Sequence, residues 1–182
     1  MNGLTASTPL DERRKNVAVV ATYSLAAFLS VLAVIRYGFD ADTVVAVVVI
    51  VVLCVLSRYD FERRIIPDRI VLPAWIGVLV ANVALHSDRW YEWILASLGA
   101  GLFFFVFAVA RRGALGMGDV KLALLIGAAL GSDVVPALIV GTLLSAVVAL
   151  GILAHGGKAA RKRTIPLGPF LAAGAIIVIL FV

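Results

Sequence analysis

Cysteine is almost absent from this sequence of 182 residues, and Cys54 stands alone inside an apolar run. A single cysteine excludes an internal disulfide and the paired CxxC motifs of a structural metal site. Histidine is nearly as scarce. His86 and His155 fall at loop edges on opposite sides of the predicted membrane, so they do not form one metal site. The sequence therefore points away from a metal centre.

Charged residues are also few, at 15% of the chain, whereas 63% of the side chains are hydrophobic. A soluble domain of this size has too little interior to bury so much apolar surface, which predicts an integral membrane protein. The formal net charge of +5 would suggest nucleic-acid binding in a soluble protein. Here the basic residues lie in short loops between apolar segments, where membrane topology explains them, so we expect no nucleic-acid partner.

A polar tail, 1–16, precedes seven apolar segments. Since lipid offers the backbone no hydrogen-bond partner, the segments are predicted to be helices of an all-α polytopic bundle with about seven transmembrane helices. They cover 17–35, 43–59, 69–86, 92–110, 118–131, 134–154 and 165–182. If the tail is cytoplasmic, only Arg36 and Arg89 of the sixteen Lys and Arg residues fall on the outer side. This asymmetry predicts a multi-pass protein of the cytoplasmic membrane with a cytoplasmic N-terminus.

Two aspartates lie where the short segments meet the inner side. Segment 118–131 spans about 21 Å as a helix, against roughly 30 Å of hydrocarbon, which places Asp119 below the inner interface. Asp60 ends another short segment, 43–59, and is expected at similar depth. Ionisable residues inside a membrane are candidates for function. Asp60 and Asp119 are therefore predicted to line one water-accessible recess on the cytoplasmic side.

Two neighbouring carboxylates share one proton because their like charges repel. That state suits aspartic proteolysis, in which one carboxylate activates water and the other, protonated, binds the carbonyl oxygen. Asp119 begins a helix, where the dipole favours the charged form, and Asp60 ends one. The hypothesis is that Asp119 is mostly the base and Asp60 mostly the acid.

The residues around the two acids have structural and functional interpretations. Gly116 and Gly118 either cap a helix, with Gly118–Asp119 as the N-cap, or let an extended strand lie against a substrate backbone. Asp68 is interpreted as the N-cap of the third helix, which leaves Asp60 as the chemical partner of Asp119. Arg64 is interpreted either as a loop charge that faces the lipid headgroups or as a substrate-binding residue. Lys121 either alters the protonation of the Asp119 carboxylate or extends to the headgroups.

Three stretches together resemble the prepilin peptidases, also called type IV leader peptidases, which are aspartic proteases of the GxGD class. They are "YDFERRIIPDRIVLP", "GALGMGDVKLALLIGAALG" and "IPLGPFLAAGA". Asp60 matches the first family aspartate, and Asp119 closes the GxGD motif that begins at Gly116. The remaining motif residues are Pro67, Asp68, Pro166, Gly168 and Pro169, and the likeness covers about residues 50–175.

The resemblance implies a function and its partners. Such enzymes remove a short basic leader from type IV prepilins or pseudopilins at the cytoplasmic membrane face, while the apolar helix of the substrate stays in the bilayer. No cofactor is implied, and the partners would be the substrate, the lipid bilayer and the pilus assembly machinery. Residues 17–182 would form one transmembrane peptidase domain, with a six-helix core and an additional helix and outer loop at 17–42.

The sequence departs from many family members in one respect. Bifunctional members carry a domain with paired CxxC motifs and also N-methylate the new terminus, whereas Cys54 is the one cysteine here. We therefore expect peptidase activity without methyl transfer, as in the short forms that serve Flp-type pili.

Three alternatives remain open at this stage. Presenilin-type proteases also pair Tyr-Asp with GxGD, but they carry a Pro-Ala-Leu element where this chain has Pro166-Leu167-Gly168-Pro169. A cation- or proton-coupled transporter would use the two acids as carriers, although transport sites tend to lie at the midplane. In a non-catalytic membrane subunit of a pilus or secretion machine, the acids would pair with Arg64 or Lys121.

Overall fold

The computed structural model describes residues 9–110, 115–160 and 166–182; the side chains of 9–12, 14–15 and 156–160 are not described. Arg111, Arg112 and 161–163, which contribute to the predicted charge asymmetry, lie outside the described residues. Every element in the described part is helical. The seven helices are α1 (Pro9–Tyr37), α2 (Ala41–Arg63), α3 (Asp68–Leu85), α4 (Trp90–Ala110), α5 (Met117–Leu130), α6 (Val134–Ala160) and α7 (Gly168–Phe181).

The helices are long and apolar, which confirms the prediction of a polytopic membrane bundle. Five helical stretches of the described residues are long and apolar enough to cross a membrane, and α7 is a shorter apolar helix. The stretch Met117–His155 contains both α5 and α6, which are separated by a 3₁₀ turn over Gly131–Asp133. Gly131 has a φ of 55°, a conformation that favours glycine, and this residue ends α5.

The core lies between α2, α3, α5 and α7, and its largest buried side chains include Leu53, Leu122, Leu125 and Leu171. The helix α1 packs against α2 and α7 through a separate small cluster that contains Ala26, Ala33, Ile50, Cys54 and Leu180. Large apolar side chains on the outer faces are exposed, as lipid contact requires.

Glycines allow the closest helix contacts. A Cβ atom on Gly127 of α5 would lie 2.7 Å from the Cα atom of Ser97 in α4. A Cβ atom on Gly141 of α6 would lie 2.8 Å from the Cα atom of Leu171 in α7. Both distances are too short for any larger residue, so the two helix pairs approach backbone to backbone, as small residues permit in membranes.

Polar side chains tie α3, α4 and α5 together. The Trp75 indole N–H donates to the Ser97 hydroxyl over 2.8 Å, and that hydroxyl donates to the Leu124 carbonyl over 2.9 Å. The Asn82 amide donates to the Ala128 carbonyl over 2.8 Å. These buried polar groups are therefore satisfied inside the bundle, where lipid offers no partner.

The C-terminal end of α2 lies at the same end of the bundle as the N-terminal ends of α3, α5 and α7. The helix α2 ends at Arg63, and α3, α5 and α7 begin at Asp68, Met117 and Gly168. Contacts of α2 with α3, α5 and α7 place these ends at one end of the bundle, here called the Asp60 end.

Candidate active site

Both candidate aspartates lie at the Asp60 end of the bundle. Asp60 is in the last turn of α2 and is buried, with 7% of its surface exposed. Asp119 is the third residue of α5 and is half-buried. The helix α2 that carries Asp60 contacts the helix α5 that carries Asp119, and both residues lie at the same end of the bundle. The structure thus brings together two carboxylates that are far apart along the chain.

Asp60 is held by the start of α7. The Gly168 N–H donates a buried hydrogen bond of 3.1 Å to Oδ2 of Asp60. A Cβ atom on residue 168 would lie 2.6 Å from the same oxygen, so a larger residue does not fit while this bond is made. Gly168 therefore brings a backbone donor into direct contact with the carboxylate.

Asp119 is held in a similar way by its own helix. The Gly116 N–H donates to Oδ2 of Asp119 over 3.2 Å, and the Asp119 N–H donates to the Gly116 carbonyl over 3.0 Å. Glycine has no side chain to complete a capping box, so the reciprocal contact comes from its carbonyl. Gly116 is the N-cap of α5, and the prediction of an N-cap at Gly118–Asp119 is wrong by two residues.

Gly118 lies inside the first turn of α5, so the prediction that it belongs to an extended strand is wrong. Only Gly116 has an extended backbone, with φ −81° and ψ 147°. A Cβ atom on Gly118 would meet the Ile66 side chain at 3.1 to 3.3 Å. The absence of a side chain at 118 therefore lets the segment before α3 pack closely on the start of α5.

Asp68 and Lys121 form a pair that the sequence analysis did not foresee. Pro67 is the N-cap of α3 and Asp68 is its first residue, so the predicted N-cap role of Asp68 is wrong. The Lys121 Nζ atom lies 2.5 Å from Oδ1 of Asp68. Lys121 pairs with this carboxylate and forms no ion pair with Asp119 among the described side chains. The pair joins the first turn of α3 to the second turn of α5.

The remaining motif residues shape the same end of the bundle. Arg64 ends α2 with a left-handed backbone, φ 53°, and its N–H donates to the Asp60 carbonyl over 2.9 Å. Its side chain is exposed, as is that of Ile65, whereas the next residue of the connection, Ile66, is buried. Pro166 and Pro169 flank Gly168 and are half-buried, and Pro169 falls in the first turn of α7. The two prolines restrict the backbone that presents the Gly168 N–H.

Within the described residues, neither Asp60 nor Asp119 forms an ion pair. The pairing with Arg64 or Lys121 expected of a purely structural role is therefore not made. The contact of Asp60 with the Gly168 N–H was missed by sequence reasoning, although the P-x-G-P element marked the place where it occurs. Each carboxylate has a backbone donor on Oδ2, which leaves Oδ1 of each without a partner in the described part of the chain.

These features define a polytopic helical membrane protein that carries two neighbouring carboxylates at one end of its bundle. Residues 47–155 match the model of the type IV leader peptidase family. The chain belongs to this family.

Three relatives show how far the similarity extends, and each is named prepilin leader peptidase/N-methyltransferase. The protein of Bacillus subtilis is 30% identical over 81% of this chain, that of Dichelobacter nodosus 32% over 81%, and that of Pseudomonas putida 29% over 85%. This chain covers 59%, 52% and 56% of their respective lengths. No solved structure matches it.

Proposed function

We propose that this chain is an aspartic endopeptidase that removes the short basic leader from a type IV prepilin or pseudopilin, including those of the Flp type, at the cytoplasmic face of the membrane. The observation that carries the proposal is the meeting of Asp60 and Asp119 at one end of the bundle. Each is held through Oδ2 by the N–H of a glycine, and neither forms an ion pair with a described basic side chain.

The proposed chemistry needs the two carboxylates to hold one proton between them. The ionised carboxylate takes a proton from water, and the resulting hydroxide attacks the scissile carbonyl carbon. The protonated carboxylic acid gives its proton to the carbonyl oxygen, which forms a neutral gem-diol. Collapse of the gem-diol breaks the C–N bond. The proton taken from water goes to the leaving nitrogen, and one gem-diol hydroxyl gives its proton to the other carboxylate, so the products are a carboxylic acid and a free amine and the pair again holds one proton. The free Oδ1 atoms would face the water and the carbonyl.

The assignment of Asp119 as the base stays a prediction, and the structure weakens its rationale. This assignment is based on the position of Asp119 at a helix N-terminus and of Asp60 at a helix C-terminus. Asp60 also accepts the N–H of Gly168 at the start of α7. Both carboxylates therefore accept a hydrogen bond from the N-terminus of a helix, where the dipole and free amides favour a negative charge. We propose that the shared proton belongs to the pair.

The expected position of Asp60 and Asp119 relative to the membrane favours a substrate that is itself embedded in lipid. The Asp60 end would face the cytoplasm if the charge asymmetry sets the orientation, because Arg58, Arg63 and Arg64 lie at this end. A leader in the cytoplasm, joined to an apolar helix in the bilayer, would then present its junction at the depth of the two acids. The partners would be the prepilin, the bilayer and the pilus assembly machinery.

We also propose that cleavage is not followed by methylation of the new N-terminus. The proposal rests on the single cysteine of the sequence, since the methylating members that the sequence resembles carry paired CxxC motifs. The names of the relatives include N-methyltransferase, so the two activities must be measured separately.

The function is tested by co-expression with a pilin that bears a basic leader. Asp60→Asn and Asp119→Asn are each expected to lower leader removal by at least about 100-fold, the lower range for loss of an acid–base group. Asp88→Asn is the matched control, because Asp88 is exposed in the connection before α4 and lies outside the site. Protein amount and membrane insertion should remain as in the wild type.

The alternatives give different outcomes in the same experiment. A transporter leaves the leader uncut even as wild type. A non-catalytic subunit loses assembly when the acids are replaced, with no cleavage to lose. Full cleavage by either Asn variant would reject the proposed mechanism.

A further inference from the structure

A cavity of about 300 Å³ lies between α1, α2 and α3 at the Asp60 end, and the proposed peptidase chemistry does not use it. The last turns of α2 and the facing part of α1 supply its polar lining. These residues are Thr22, Tyr23, Arg58, Tyr59, Glu62 and Arg63. Apolar side chains of α2 and α3 complete it. A mixed polar and apolar lining is typical of a site for an amphipathic ligand.

The charges in this cavity favour an anion. Arg58 forms an ion pair with Glu62, with Nε 2.8 Å from Oε1, so these two charges offset each other. Arg63 has no acidic partner among the described side chains, and its guanidinium lies 5.7 Å from the centre of the Tyr59 ring. This cation–π contact orients the guanidinium without neutralising it. Among the described side chains, one positive charge is therefore uncompensated in a cavity whose other charges cancel.

The position of the cavity indicates which anion reaches it. Arg63 ends the apolar helix α2, so the cavity opens at the level where hydrocarbon gives way to headgroups. Tyr23 and Tyr59 are residues that favour this interface. Beside the cavity, Val20 and Tyr23 of α1 expose 64% and 55% of their surfaces, which provides an apolar path for acyl chains. A ligand with a phosphate head and apolar tails fits both the positive charge of Arg63 and the exposed apolar surface of α1.

We infer that this cavity, defined by Tyr23, Arg58, Tyr59 and Arg63, binds the phosphodiester headgroup of an anionic phospholipid. The planar guanidinium of Arg63 matches two phosphate oxygens, and the tyrosine hydroxyls supply further donors. Basic pockets between transmembrane helices bind lipid headgroups in this way. The site is independent of the proposed peptidase activity, since it contains neither Asp60 nor Asp119.

Native mass spectrometry of the full chain in detergent tests the inference, with phosphatidylglycerol and phosphatidylcholine as probes. Arg63→Gln is expected to weaken phosphatidylglycerol binding about fivefold, the effect of one basic residue near an anionic surface. Arg36→Gln is the matched control. Arg36 also lies over a tyrosine ring, that of Tyr37 at 5.8 Å, but at the far end of α1. The control should bind both lipids as the wild type does.

Each other outcome bears on the inference. Equal loss of binding in both variants, or none in Arg63→Gln, overturns it. If inorganic phosphate displaces no phosphatidylglycerol from the wild type at millimolar concentration, a lipid source is supported. If phosphate binds in an Arg63-dependent way and the lipid does not, the lipid assignment is overturned. If Arg63→Gln folds poorly, Arg63→Lys is tested instead. This variant keeps the positive charge but lacks the planar guanidinium, so it must bind phosphatidylglycerol more weakly than the wild type does.

Discussion

The backbone N–H of Gly168 and the Oδ2 atom of Asp60 are 3.1 Å apart, although 108 residues separate them in the sequence. This bond fixes the rotamer of a buried carboxylate by means of a group that no substitution removes, except by proline. It also couples the start of α7 to the end of α2. The position of Asp60 therefore depends on the backbone of the P-x-G-P element.

Gly168→Ala is predicted to lower leader removal about 100-fold, the usual effect of misplacing a reacting group by roughly 1 Å. The added Cβ would lie 2.6 Å from Oδ2 of Asp60 and push the carboxylate aside. Gly77→Ala is the matched control, since its Cβ would meet nothing within 4 Å. A cleavage assay on purified protein decides, and an active Gly168→Ala enzyme would show that the contact is dispensable.

The pair formed by Lys121 and Asp68 is predicted to fix the position of α5 while contributing little to the free energy of unfolding. Both side chains are partly exposed, and such ion pairs contribute about 0 to 1 kcal/mol. Lys121→Asp should reduce cleavage several-fold with a small change in the unfolding temperature, because it places two negative charges together. The double variant Lys121→Asp with Asp68→Lys should recover much of the activity.

The swap experiment has a control at the opposite end of the bundle. Arg89 and Glu92 form a partly exposed pair at 3.7 Å, and their charge exchange should leave cleavage unchanged. If the Lys121 and Asp68 swap fails to recover activity while the single variants fold, Lys121 acts through something other than this pair.

The N-terminal cap of α2 should make stability depend on pH. The Thr43 N–H and then the Thr43 hydroxyl donate to Asp40 and hold the pKa of this carboxyl below its usual value. A lowered folded-state pKa gives stability that is present above the unfolded value, about 3.9, and lost as the pH falls through the folded value. The unfolding temperature should therefore decline on acidification in this range.

Asp40→Asn keeps a capping side chain without the charge, so its unfolding temperature should fall less with acid than that of the wild type. Asp40→Ala removes the cap and should unfold at a lower temperature near neutral pH. Thermal unfolding in detergent at several pH values measures both effects. Parallel curves for the wild type and Asp40→Asn would contradict the assigned titration.

Methyl transfer is checked on the cleaved product. After incubation with S-adenosylmethionine, mass spectrometry of the mature pilin should show an unmodified N-terminus. The Bacillus subtilis relative, whose name includes N-methyltransferase, serves as the comparison in the same assay. A product heavier by one methyl group would reject the expectation drawn from the single cysteine.

Hydropathy predicted the fold well because lipid restricts the backbone to helices. All seven apolar segments correspond to helices, and α3 and α4 begin within two residues of their expected starts. The ends of α1 and α6 extend further, to Pro9 and Ala160, since polar residues continue a helix beyond the apolar run without a hydropathy signal.

The site was less predictable. The shortness of 118–131 agrees with the 14 residues of α5. The helix α2 has 23 residues and is not the short helix predicted over 43–59, so the depth of Asp60 in the membrane stays a prediction. The partners of Asp60 and Lys121 come from other helices, and a single sequence contains no information on which side chains meet across 108 or 53 positions. Local rules also misplaced the N-caps, since Gly116 and Pro67 take positions that polar side chains usually occupy.

The hydrogen bonds that run from Trp75 through Ser97 to the Leu124 carbonyl limit how this bundle can open. The hydrocarbon region of the membrane contains no water that could replace these hydrogen bonds. Separating α3, α4 and α5 would therefore leave polar groups without a hydrogen-bond partner. We therefore expect these three helices to move together. Space for a substrate polypeptide would then have to come from movement of α2 and α7. Amide hydrogen exchange at the ends of these two helices should therefore be faster than along α5.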